Sequence, residues 1–252
     1  MFKKLLASMG IGNAKVDTQL ENDQLTPGSN VKGKVNIQGG SAEQQVDRIN
    51  VFLMTEAVRE KDDKKYYEKI AMQKYTITDS FVIGEGEEKQ VDFEFLLPIQ
   101  TPPTIGRTKV WIQTGLDIPQ AIDPKDRDYL EVEAHPYMET VLNALTNNLG
   151  FHLREVEMEY SSRLGYVQEF EFSPSPEFRS DLDELECVFF IREDQIELVL
   201  QVDRRAKGLG GLFAEAIGTD ESNVRVSFTK AELEKGTAHI AGELRGLIRQ
   251  FG

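Results

Sequence analysis

The sequence holds one cysteine, Cys187, and three histidines, His135, His152 and His239, in 252 residues. A single cysteine excludes an intramolecular disulfide. Its surroundings, Leu185-Glu186-Cys187-Val188-Phe189-Phe190, supply no basic neighbour to lower the thiol pKa. The residue therefore reads as a small apolar filler in a buried strand, and a reducing cytoplasm suits it. The histidines are scattered, with no His-x-x-x-His or carboxylate spacing that would gather a metal. No Gly-x-Ser-x-Gly elbow is present, nor a local nucleophile–base signature. These absences point to a non-enzymatic protein with no metal and no cofactor.

Positive charge is scarce too: 29 Lys and Arg stand against 43 Asp and Glu, a net −14. Such a field repels nucleic acid, which is bound by neutralising phosphates with Lys and Arg. It also disfavours flat attachment to anionic membranes. No apolar run approaches the length of a membrane-spanning helix. The start, MFKKLLASMGIGNAK, imitates a signal peptide, but Ser8 and Gly10 interrupt it too early for an apolar h-region. Phe2, Leu5, Leu6 and Met9 fall instead at helical spacing, with Lys3 and Lys4 elsewhere on the turn. A short amphipathic helix docked on its own protein is expected, and a membrane or partner anchor is the alternative.

What is present is mostly period-two alternation. Lys15 to Glu21, Ile49 to Thr55, Tyr75 to Thr78, Val91 to Leu97 and Lys109 to Thr114 all read as strands. Thr26-Pro27-Gly28-Ser29 has the chemistry of a type II turn, proline at the second position and glycine at the third. The charged run REKDDKK, 59 to 65, reads as an exposed loop, and Asp123 to Asp128 as a solvated turn between strands. The latter lacks the glycine and glutamate of an EF-hand loop.

The period changes over HPYMETVLNALTNNLG, where Met138, Val141, Leu142 and Leu145 are spaced for a helix between Pro136 and Gly150. The expected organisation is a β-sandwich domain over 1–134, a linker helix over 135–150, and a second β-rich domain over 151–252. In that second domain, Leu185 to Arg192 and Gln195 to Val202 pair around Glu193-Asp194. Val156, Met158 and Tyr160 alternate with Glu155, Glu157 and Glu159. Thr229-Lys230-Ala231-Glu232 is a capping box that opens a C-terminal helix carrying Ile240, Leu244, Leu247, Ile248 and Phe251. Arg204, Arg205 and Lys207, ahead of a glycine-rich run, form the densest positive spot on this acidic half. A strand-to-helix turn is the main reading of this stretch; if the protein holds an acidic partner or phosphopeptide, these three cations are the candidate contact.

The strand KVDTQLE, the Pro-Gly turn and the glycine-centred strand VKGKVNI resemble the opening of an arrestin-like domain. KVWIQTGLDIPQAIDPKDRDYLEV, 109 to 132, is similar to the strands that close one. With FKKLLASMGIGNAKVDTQLE, LTPGSNVKGKV, VDRRAKGLGGLFAEAIG and DESNVRVSF, the whole chain resembles the bacterial sporulation-control family, stage-zero sporulation protein M. That resemblance implies a mainly β protein of two arrestin-like sandwich domains and a role in the early decision to sporulate, with no catalytic residues to carry over. The expectation is a cytoplasmic regulator or adaptor that contacts one or more cytosolic proteins through a groove or an edge strand. An edge strand carrying Lys32 and Lys34 would be protected from such pairing. The alternative is a peripheral membrane adaptor held by the N-terminal segment.

Overall fold

The structure, a computed structural model, describes residues 13–61, 64–119, 123–204 and 221–251. The N-terminal helix expected over Phe2 to Met9 lies outside the described residues. The described chain divides into two compact units. Unit 1 takes residues up to 56, 68–104 and 109–133; unit 2 takes 57–67, 105–108 and those from 134 onward.

In unit 1, β1 (Lys15–Leu20), β3 (Asn30–Gln38) and β8 (Glu88–Leu96) form an antiparallel sheet in the order β1-β3-β8. Facing residues come from a second sheet, in which β5 (Arg48–Lys61) pairs β9 (Val110–Asp117), and β9 pairs β10 (Lys125–Val132). The short β2 (Gln24–Leu25) runs parallel to β10, and β4 (Gln44–Val46) pairs β7 (Phe81–Ile83). Alternation decides which side chains go inside: Val31, Val35, Ile37, Phe93 and Phe95 of one sheet share a core with Val51, Leu53, Ile112 and Leu130 of the other. Gly33 belongs to that inner face. A Cβ there would lie 2.6 Å from the Gln19 carbonyl oxygen and 2.7 Å from the Phe93 ring. The glycine thus makes room for strand β1 and the aromatic ring. The Pro-Gly turn forms as its chemistry demands, with Gly28 at φ +88° and Ser29 N–H donating to the Thr26 carbonyl at 3.0 Å.

Three local expectations change. β3 is the central strand of its sheet, so Lys32 and Lys34 guard no edge; Lys32 pairs with Glu94 at 3.3 Å. The charged run 59–65 is mostly strand, because β5 continues to Lys61 and its partner β6 starts at Lys64 (Lys64–Thr76). Backbone pairing along this long hairpin satisfies the ladder whatever the charge of the side chains. Asp126 and Asp128 likewise stand within β10. Asp126 accepts a hydrogen bond from the Thr18 N–H at 2.6 Å.

Unit 2 is built on an antiparallel meander: β11 (His152–Ser161), β12 (Gly165–Ser173), β13 (Leu182–Ile191), β14 (Gln195–Arg204) and β15 (Glu221–Thr229). The β13–β14 hairpin turns at the expected Glu193-Asp194. Phe170, Phe172, Leu185, Cys187, Ile196, Leu198 and Leu200 bury one face almost completely. Burial pushes the Cys187 thiol far up, as befits an inert filler. Helix α1 (Pro136–Asn143) runs into a π-turn at Ala144–Asn148 and packs against β13 and β14. Its N-cap is His135, whose Nδ1 accepts from the Tyr137 N–H at 3.2 Å. Thr229 and Glu232 complete the capping box of α2 (Lys230–Leu233), Gly236 ends it at φ +93°, and α3 (Thr237–Phe251) follows. Ile240, Leu244 and Ile248 are buried, so the stripe on α3 is docked rather than displayed.

Candidate functional site

The other face of the unit 2 meander carries its charge. Because side chains alternate along a strand, Glu155, Glu157 and Glu159 on β11 share one side with Glu169 and Glu171 on β12 and Glu186 on β13. Register then sets carboxylates directly opposite one another: Glu155 faces Glu171, Glu157 faces Glu169, and Glu171 faces Glu186. Like charges so placed repel, and the fold answers with cations. Arg107 pairs with Glu155 and stands 3.7 Å from Glu157, which Lys65 approaches at 4.0 Å. Arg154 holds Glu184 at 2.9 Å, and Arg225 holds Glu197 at 2.8 Å.

The compensation is incomplete. Burial, reinforced by Glu159, Glu171 and Glu184 and opposed by Lys65, pushes the Glu169 carboxyl up to about 7. Burial also raises Glu159 and Glu184, and Glu171 adds both charge and a hydrogen bond at the latter. Glu157 is only 6 % exposed, and among the described residues its Oε2 finds no hydrogen-bond donor. Beside these carboxyls lies a cavity of about 500 Å³, with Glu169 and Glu186 among its walls, Val167, Val188 and Val199 supplying apolar surface, and the Ser161–Leu164 turn at one end. The Glu169 carboxyl therefore holds its proton to a higher pH than an ordinary glutamate does.

A smaller acidic group sits in unit 1. Burial first, then Asp126 and Asp17, lift Asp128 to about 6. Among the described residues no group of three or more His, Cys, Asp or Glu is placed to hold a metal. The three histidines lie on separate elements, His135 at the start of α1, His152 in β11 and His239 in α3.

Of the candidates read from sequence, Arg204 closes β14, where its backbone pairs with Leu182. Arg205 and Lys207 lie outside the described residues, as do Phe2, Lys3, Lys4, Leu5, Leu6 and Met9. The acidic face escaped the sequence reading as a unit. Its signal was present in the alternating glutamates of three strands, but which strands would be neighbours is a long-range matter.

Comparison with known proteins places these features in context. A family model described as SpoOM protein matches residues 2–206. The sporulation-control protein Spo0M of Bacillus subtilis (strain 168) is 46% identical over 255 residues, spanning 99% of this chain and 98% of that protein. The crystal structure of Spo0M, sporulation control protein, from Bacillus subtilis superposes with a TM-score of 0.84 at 43% identity. It covers 96% of this chain and 100% of that one.

Proposed function

The chain belongs to the Spo0M family, and from that premise we propose that it is a regulator of the early decision to sporulate. It works as a non-enzymatic cytoplasmic protein through contacts with other proteins. The observation that carries this reading is similarity running through nearly the whole of both this chain and a sporulation-control protein, which is more than a shared module would give. Mechanism by contact is supported by the β-rich architecture, since fold alone assigns no chemistry and exposed strands accept extended peptides. Among the described strands, β1 and β8 are the outer ones of their sheet. Among the described residues no helix is long and apolar enough to cross a membrane.

The test is replacement of the Bacillus subtilis relative by this chain, with heat-resistant spores counted against the deletion strain. Wild-type spore numbers are expected, and numbers equal to the deletion overturn the sporulation reading. In-cell crosslinking of the tagged full chain at the onset of starvation, read by mass spectrometry, tests the contact mechanism. Specific partners are expected, and a clean absence of them overturns it. A second reading rests on the helical spacing of Phe2, Leu5, Leu6 and Met9: a peripheral adaptor anchored to membrane. It requires liposome flotation that is lost when the first ten residues are deleted.

A further inference from the structure

Strand β6 has a partner on one side only. Among the described strands it pairs with β5 alone, so no described strand takes the N–H and C=O groups along its other edge. None of its thirteen residues is buried. It opens with Lys64-Lys65-Tyr66-Tyr67-Glu68-Lys69, which reads Lys-x-Tyr-Tyr-x-Lys in either direction. Because side chains alternate, Lys64 and Tyr66 share one face of the strand, and Tyr67 and Lys69 share the other. Each face thus offers an ammonium group about 6.7 Å along the strand from a phenol ring. All four residues stand on one unbroken strand, whose own backbone fixes their spacing. Tyr66 is 52 % exposed and Tyr67 61 %. Lys64 and Lys69 are exposed too, and neither joins an ion pair among the described residues.

An open strand edge accepts a further strand, and the side chains along it decide which. A neutral strand leaves the lysines unanswered. A second copy aligned on its tyrosines sets Lys64 opposite Lys69, and like charges so placed repel. A strand with a carboxylate opposite each lysine and an apolar side chain opposite each tyrosine makes favourable cross-strand pairs at all four positions. The net −14 of the whole chain does not forbid an acidic partner. Exposed charges are screened beyond about 8 Å at physiological salt, so the adjacent lysines govern the contact. Nucleic acid and anionic lipid also answer lysines, but neither brings the ladder of N–H and C=O groups that a backbone edge pairs with.

We infer that the open edge of β6 takes up an extended acidic segment of a partner protein, of pattern acid-x-apolar-apolar-x-acid, with its carboxylates opposite Lys64 and Lys69 and its apolar pair opposite Tyr66 and Tyr67. The inference rests on the reading that the protein acts through protein contacts, and it supplies the chemistry of one such contact.

The probe is the capped, fluorescein-labelled peptide Ser-Glu-Thr-Val-Tyr-Thr-Glu-Ser, titrated into the full chain by fluorescence anisotropy at low salt. Its companion, Ser-Val-Thr-Glu-Glu-Thr-Tyr-Ser, has the same composition with acids and apolar residues exchanged. A third peptide is the first one N-methylated at its central Val and Tyr, which removes a donor from each backbone edge. The first peptide should bind most tightly, and Lys64→Gln with Lys69→Gln should weaken it about fivefold, the loss of two exposed ion pairs. Lys230→Gln with Lys235→Gln removes the same charge from exposed positions elsewhere and should leave binding unchanged. Equal binding of the companion or of the N-methylated peptide, or equal weakening by both double variants, would each overturn the inference. Displacement by oligo-dT or by phosphatidylserine vesicles as readily as by unlabelled peptide would overturn it in favour of nucleic acid or membrane. Circular dichroism of each variant confirms the fold. Failure here, with specific partners still found by in-cell crosslinking, removes this site and leaves the contact mechanism standing; an absence of partners alongside peptide binding removes the mechanism instead.

Discussion

Replacing Glu169 by glutamine removes the charge most strongly opposed by its surroundings on the acidic face. Below pH 4.5 the carboxyl is protonated in folded and unfolded chains alike, and it costs folding nothing. Between 4.5 and about 7 the unfolded chain ionises first, so it binds fewer protons and stability falls as the pH rises. Above about 7 both states are ionised and the whole cost is present. A rise of that size corresponds to about 3 kcal/mol in full, and partial exposure screens it to ~1–2 kcal/mol. Glu169→Gln should therefore be nearly neutral at pH 5 and more stable than the parent by ~1–2 kcal/mol at pH 8. Hydrogen exchange of peptides from β12 and β13, measured at both pH values and corrected for intrinsic rates, reports unit 2 by itself. A difference that fails to grow from pH 5 to pH 8, or a variant less stable at pH 8, would refute the electrostatic account. Glu159 and Glu184, raised for the same reason, keep part of the pH dependence in the variant, so the comparison between proteins is the deciding quantity.

Three further outcomes are expected. Gly33→Ala forces a methyl against the Gln19 carbonyl and the Phe93 ring, so urea denaturation should show a loss of ~1–3 kcal/mol. Gly242→Ala and Gly246→Ala sit on α3 with nothing within 4 Å of the added carbon, and each should raise stability by ~0.5–1 kcal/mol in thermal denaturation. Thr229→Ala removes the side-chain half of the capping box, leaving only the bond from its backbone N–H to Glu232, and should cost about 1 kcal/mol, seen as faster amide exchange in the turn Lys230–Leu233.

Local chemistry was legible in the sequence wherever a short stretch determines its own geometry. The turn at Thr26–Ser29, the capping box at Thr229 and the hairpin at Glu193-Asp194 all depend on residues a few positions apart. Runs whose fate depends on distant pairing were misread. Asp126 and Asp128 look like a solvated turn, yet β9 draws them into a strand beside Thr18. The run 59–65 looks like a loop because its charges hide a ladder supplied by β6. The acidic face combines both cases. The alternation of Glu155, Glu157 and Glu159 with Val156, Met158 and Tyr160 is plain in the sequence. That Glu169 and Glu171 would stand across from them, with Glu186 beyond Glu171, followed only from strand order.

The division of the chain bears on how this protein can be cut. The path changes unit after Glu56, Tyr67, Thr104, Thr108 and Glu133, so no single cut separates the two. A fragment beginning at residue 134 would keep the five-stranded meander but lose Arg107, Lys65 and Arg59. Glu157 would then be left with neither of its nearby cations, and Tyr160 without the guanidinium 3.8 Å above its ring. A fragment cut at residue 134 therefore strands a buried carboxylate that the full chain keeps beside its cations.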